Sequence, residues 1–174
     1  MSAEVALTAE DNVDDFESFF RAEYDGLFRT LALSTGNRQE ADDLAQDAMV
    51  RLFERWDRLS HVESKRAYLF TVAFNLLRRR RKRDALLRKI VRAGAVDLGI
   101  QGPDNTHELL DSIANLPRAH REALILVEWL GFSSVEAAAV LHVKPGTVRG
   151  RIHAARARLK IDLGIEVSDD EPTQ

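Results

Sequence analysis

Apolar positions recur along this chain with the 3.6-residue period of helices, and no convincing run alternates with period two. A first helix is predicted from Asp14 to about Leu33, with Phe16, Phe19, Phe20, Tyr24, Leu27, Phe28 and Leu31 on a broad apolar face. Ser34-Thr35-Gly36-Asn37 breaks it. A second helix runs from about Arg38 to Arg58. Its apolar stripe is Ala41, Leu44, Ala45, Ala48, Leu52 and Trp56, and its other face shows Asp43, Gln46, Asp47, Val50 and Glu54. Residues 59–65 form a polar connection to a third helix, from about Arg66 to Arg92. That helix opens apolar and aromatic, with Tyr68, Leu69, Phe70, Val72, Phe74, Leu76 and Leu77, and then carries RRRRKR at 78–83. Residues 93–106, rich in glycine, read as a flexible linker.

Helical periodicity resumes at His107. Leu109, Leu110, Ile113 and Leu116 lead to Pro117, and Arg118 to about Leu130 forms the next helix, with Ala123, Leu124, Leu126 and Val127 as its buried set. After Gly131-Phe132-Ser133 comes a short helix from Ser134 to Leu141, apolar at Val135, Ala138, Ala139 and Leu141. His142-Val143-Lys144 is long enough only for a turn. Pro145 suits the first position of a new helix, where its missing N–H would be unpaired anyway. Val148, Ile152, Ala155 and Leu159 give that helix a buried stripe. This is a helix-turn-helix layout, whose second helix enters the major groove of DNA. Opposite the stripe lie three small residues, Gly150, Ala154 and Ala157. Arg149, His153, Arg156 and Lys160 flank them on one side, Arg151 and Arg158 on the other. A small floor between basic walls lets the backbone approach a groove while long side chains reach phosphates or base edges. The expected fold is all-α: two small helical domains, 10–92 and 107–163, joined by the flexible linker 93–106, the second a helix-turn-helix. The acidic end, 164–174, reads as disordered.

Composition narrows the choice. The 174 residues include no cysteine, which removes disulfides, thiolate zinc sites and thiol nucleophiles and suits a reducing cytoplasm. The N-terminus is acidic and lacks the order of a signal peptide. The longest strongly apolar stretch, Ala123 to Val127, is far too short to span a bilayer, so no membrane insertion is expected. The net charge of −3 conceals strong segregation: −9 over 1–63, +9 over 64–100, −4 over 101–141, +6 over 142–160 and −5 beyond. Two basic blocks beside acidic ones imply two nucleic-acid contacts and a separate surface for a basic partner. His61, His107, His120, His142 and His153 show no metal-ligand spacing, and no carboxylate cluster suits a two-metal site. An enzyme acting on nucleic acid is therefore disfavoured. No catalytic residue, metal or cofactor is expected.

The order aromatic-then-arginine in the third helix is a chemical clue. Cations neutralise phosphates, and aromatic faces stack unpaired bases. Trp56 and Tyr68 are candidates to hold an opened strand, with Asn75 as a base-edge reader. Phe70 and Phe74 read instead as core. In the second helix, negative charge at Asp42 is favoured by the helix macrodipole. Asp43, Gln46 and Asp47 form an exposed patch suited to a basic protein.

These blocks, in this order, resemble the small extracytoplasmic-function (ECF) type of bacterial RNA polymerase sigma factor, in the sigma-70 class. The first domain matches at Gly36-Asn37, ADDLAQDAMVRLF and AYLFTVAFNLLRRRRKR. The second matches at LPRAHREALIL, WLGFSS, EAA, KPGTV and RIHAARARL. The resemblance covers almost everything outside linker and tails. It implies that Asp42, Asp43, Gln46 and Asp47 bind core RNA polymerase at its clamp helices. It implies that the segment with Trp56, Tyr68 and Asn75 reads and opens the promoter minus-ten element, with Arg78, Arg79 and Arg80 opening the run, to Arg83, that holds phosphates. It implies that the helix from Pro145 reads the minus-thirty-five element, through Lys144, Thr147, Arg149, Arg151, His153, Arg156 and Arg158. The linker would thread toward the RNA exit path. Many members are held by an anti-sigma factor. Many also carry a polar residue where Gly150 stands and arginine where Ala154 stands, so this chain's base preference should be its own. The alternative is a stand-alone helix-turn-helix regulator with a helical partner domain, which gives no reason for an acidic helix beside an aromatic-then-arginine one.

Overall fold

A computed structural model describes residues 9–87 and 104–165, with side chains placed over 15–84 and 108–165. The linker's residues 93–103, the stretch 88–92 that the periodicity assigned to the third helix and the acidic tail from Glu166 lie outside the described residues. The elements in order are α1 (Ala9–Thr35), α2 (Arg38–Phe53), a short 3₁₀ turn (Trp56–Leu59), α3 (Lys65–Leu87), α4 (Asp104–Asn115), α5 (Arg118–Leu124), α6 (Ser134–Leu141) and α7 (Pro145–Asp162). No strand occurs among the described residues. The all-α expectation holds. α1 begins five residues before the predicted start, and α4 begins at Asp104, inside the stretch read as linker.

Local chemistry sets the boundaries. Gly36 takes a left-handed φ of 70° to end α1. Asn37 then caps α2, its side chain accepting from the Glu40 backbone N–H at 3.0 Å. The chain of α5 runs on through one wide π turn, Ile125–Trp129, and stops at Gly131, also left-handed. Ser133 and Glu136 form a capping box at the start of α6: the Glu136 amide donates to the Ser133 hydroxyl at 3.2 Å, and the Ser133 amide donates to the Glu136 carboxylate at 2.8 Å. Those bonds hold the Glu136 carboxyl below its ordinary range. His142, left-handed at φ 52°, closes α6, and Pro145 opens α7.

The amphipathic stripe of α2 is buried as expected: Ala41, Leu44, Ala45, Ala48 and Leu52 are all within 2% of full burial. α1 packs along α2, and α2 along α3. In the second half, α7 buries Val148, Ile152 and Ala155 against α5 and α6. α6 departs from expectation. Its buried residues are Ala137, Ala138, Val140 and Leu141, while Val135 is 66% exposed and Ala139 is exposed too. The reason lies in α3. Leu69, Phe70, Ala73, Phe74, Leu76 and Leu77 are all buried, which marks a helix covered on more than one side. α3 packs on α2 with one face and on α6 with another. The two halves of the molecule therefore share one continuous core, with Phe70 and Phe132 edge-to-face at 5.2 Å between centroids.

Candidate nucleic-acid and partner interfaces

The acidic face of α2 is in place. Asp43, Gln46 and Asp47 are exposed. Asp42 is half-buried and works inward: it accepts from the Tyr24 hydroxyl at 2.7 Å and from the Gln46 side chain at 3.0 Å. Burial and this carboxylate push Tyr24 up to about 12. Asp43 accepts from Gln39 at 3.2 Å and lies 3.7 Å from the Arg80 guanidinium, which also approaches Glu40 at 3.4 Å. Beside this patch runs an apolar groove of about 350 Å³ lined by Phe16, Phe20, Met49, Val50 and Phe53, with Gln46 on its border. Val50 and Phe53 are about half exposed, at 57% and 50%. The groove went unrecognised in the sequence, because Phe16 and Phe20 fit a buried face by period alone.

One expected base-stacking residue is corrected. Trp56 is only 5% exposed. The rings of Phe16 and Phe19 each stand 5.1 Å from its own, and the Lys65 ammonium sits 4.0 Å over it. It is a wall of the core, with no face open to a base. Tyr68 is half-buried, and its hydroxyl accepts from Arg55 at 2.9 Å. That leaves part of its ring accessible beside a cation.

The basic run of α3 divides by helical face. Arg79, Lys82 and Arg83 are exposed. Arg80 leans toward α2. Arg78 is half-buried and donates to the Leu141 carbonyl at 3.2 Å and to Asn75 Oδ1 at 2.6 Å. Asn75 Oδ1 also lies 3.1 Å from His142 Nε2. Arg81 donates to the Ser34 carbonyl at 2.7 Å and pairs with Glu122 at 2.6 Å. Sequence patterning missed Arg66, Arg81, Glu122 and His142 as interacting residues.

On α7, Lys144, Thr147, Arg149 and His153 are exposed and Arg151 is half-buried. Arg156 pairs with Glu128 of the π turn at 2.6 Å, and Arg158 with Asp162 one turn on at 3.0 Å. Both pairs lie at the surface, where ion pairs contribute little to stability. Gly150 is exposed, and a Cβ placed there meets nothing within 4 Å. Gly150→Ala should therefore stabilise the second half by about 1 kcal/mol through helix propensity alone, read as a rise in its unfolding midpoint in urea. An unchanged or lower midpoint would mean the glycine answers a conformational need of α7.

No histidine or carboxylate cluster suited to a metal occurs among the described residues. None of the described helices is long and apolar enough to cross a membrane.

Comparison with known proteins fits this geometry. Residues 19–86 match the family model "Sigma-70 region 2" and residues 106–159 match "Sigma-70, region 4". The chain is 33% identical over 150 residues to the ECF RNA polymerase sigma factor EcfG of Rhodopseudomonas palustris, covering 82% of each chain. Among solved structures it resembles the sigma factor RpoE of Bartonella quintana, crystallised with the anti-sigma factor NepR. There the TM-score is 0.75 and the identity 24%, over 88% of this chain and 99% of that one. It also resembles CnrH in complex with the cytosolic domain of CnrY, with a TM-score of 0.65 and 26% identity over 91% of this chain and 94% of that one. The chain belongs to the ECF subfamily of sigma-70 RNA polymerase sigma factors.

Proposed function

We propose that this transcription initiation factor grips core RNA polymerase through α2 and promoter DNA through α3 and α7. The helix-turn-helix carries the reading. The Ser133–Glu136 box, the left-handed turn at His142 and Pro145 fix α7 against α6, and burial of Val148, Ile152 and Ala155 turns Thr147, Arg149 and His153 outward. That presents the first turns of α7, acid-free from Pro145 to Ile161, to the major groove of the minus-thirty-five element. Exposed Arg79, with Asn75 and Arg78 once freed, handles the minus-ten element beside the half-open ring of Tyr68. Asp43 and Asp47 complement a basic helical surface on the polymerase, and the adjoining groove takes its apolar residues.

Transcription from a genomic promoter library with purified core polymerase tests this. The complex should start at defined sites, where core alone does not; no specific transcript on any template would sink the reading. Arg149→Ala should weaken binding of the minus-thirty-five element by about 1–3 kcal/mol if it contacts bases. A footprint unchanged over that element would remove Arg149 from the interface. A stand-alone regulator would bind its site equally well without polymerase, and nothing in that role uses the α2 face. Relatives solved with anti-sigma proteins make such an inhibitor an expected partner here.

A further inference from the structure

One tyrosine of α1 touches both parts of the α2 face, the acidic patch and the apolar groove. At its polar end the Tyr24 hydroxyl donates to Asp42 Oδ1 at 2.7 Å, and Gln46 Nε2 donates to Asp42 Oδ2 at 3.0 Å. At its flat end the Tyr24 ring stacks on Phe20, 4.8 Å between centroids and 25° from parallel. Phe20 lies one turn earlier on the same face of α1, and Phe16 one turn before that. Phe16 in turn stands 4.8 Å from Phe53 of α2. Phe16, Phe20, Phe53 and Gln46 all line the groove. The α1 wall of the groove therefore holds the Tyr24 ring, and Tyr24 reaches through Asp42 to the glutamine on the groove's border.

The chemistry of these contacts fixes a direction. A carboxylate only accepts hydrogen bonds, so Asp42 meets a donor at each oxygen: the Tyr24 hydroxyl at one, the Gln46 amide nitrogen at the other. The Tyr24 hydroxyl stays a donor, because burial and the bond to Asp42 push it up to about 12. With its nitrogen turned inward, Gln46 offers its carbonyl oxygen, an acceptor, to whatever docks on α2. Asp43, Gln46 and Asp47 are neighbours at helical spacing and all exposed, so this acceptor joins two carboxylates on one surface. Such a set suits the lysines and arginines of a basic partner. A glutamine free in solvent samples many rotamers, and ordering it on binding lowers affinity. We propose that Tyr24 is a positioning residue for polymerase docking, which through Asp42 presets the Gln46 amide at the groove's border before the polymerase arrives. This role rests on the docking reading of the α2 face given above, and it puts neither Tyr24 nor Asp42 against the polymerase.

Tyr24→Phe keeps the ring and its stack and removes only the hydroxyl. It should weaken binding of the full-length chain to core RNA polymerase by about 3- to 10-fold, the range expected when one long side chain must be ordered on docking. In a Gln46→Ala background the same change should cost less than about 2-fold, because the amide it positions is gone. A tyrosine that only supports the fold would show an equal loss in both backgrounds, or none in either. Each of those results would overturn the proposal. Should Tyr24→Phe prove too unstable to assay, the unmodified chain still decides. Side-chain ¹⁵N relaxation of the free protein should show the Gln46 amide nearly as ordered as the backbone of α2. An amide as mobile as that of a solvated glutamine would refute the presetting without any variant. Asp47→Arg separates this role from docking itself. If that variant binds core normally, the docking reading falls and the role of Tyr24 with it. If it fails to bind while Tyr24→Phe binds as wild type, docking stands and the positioning role alone is lost.

Discussion

Asp47→Arg should abolish working affinity for core RNA polymerase while leaving the fold intact. Asp47 is exposed on α2, and among the described residues no hydrogen bond or ion pair engages it. It therefore separates docking from folding more cleanly than Asp42, which Tyr24 and Gln46 hold inward, or Asp43, which Gln39 and Arg80 engage. Reversing a charge against a basic surface replaces attraction with repulsion, and truncating one partner of a desolvated interfacial pair costs about 2–5 kcal/mol. Affinity should fall by about 30-fold or more, measured by anisotropy of labelled sigma factor titrated with core enzyme. Stability should stay within about 0.5 kcal/mol of wild type, as for surface changes elsewhere. Val50→Glu, which puts a charge into the groove beside the patch, should act in the same direction, since burying an unpaired carboxylate is costly. If Asp47→Arg bound normally, the acidic face of α2 would keep only its structural role, and the groove would have to account for docking alone.

What could be seen in the sequence followed the strength of the amphipathic signal. α2 is a surface helix with one apolar stripe, and its buried and exposed residues fall where the period puts them. The turn at 142–144 was legible because Pro145 fixes the start of α7 and leaves only three residues for the connection. α6 was not. It has eight residues, and apolar ones lie all round it, so its buried face was decided by α3 arriving from the other half of the molecule. The same limit hid the arginine contacts. Arg66 and Arg78 meet their carbonyls from 62 to 64 positions away, and a backbone carbonyl leaves no mark on a residue pattern. RRRRKR looked like one phosphate-binding unit, but a helix distributes consecutive residues around its axis. Arg78 and Arg81, three apart, share the face toward the second half, whereas Arg79 remains in solvent.

Trp56→Ala should unfold the N-terminal half at temperatures where the wild type is folded, a far larger effect than loss of one base contact. Replacing a buried tryptophan by alanine typically costs about 3–5 kcal/mol, against total stabilities of about 5–15 kcal/mol. Here the cavity would open between Phe16 and Phe19 of α1 and the start of α3, where Lys65 lies over the ring. α1 also supplies Phe16 and Phe20 to the groove, so polymerase docking should fail with it. Trp56→Phe separates the two roles a tryptophan could have at this position. Phenylalanine keeps an aromatic body in the pocket at a smaller loss of volume, so most stability and promoter opening should survive. Tyr68→Ala, at a half-buried ring, should cost far less stability than Trp56→Ala and slow opening, followed with a fluorescent base in the minus-ten element. Were Trp56→Phe as stable as wild type yet unable to open the promoter, the indole would have to leave its pocket in the open complex.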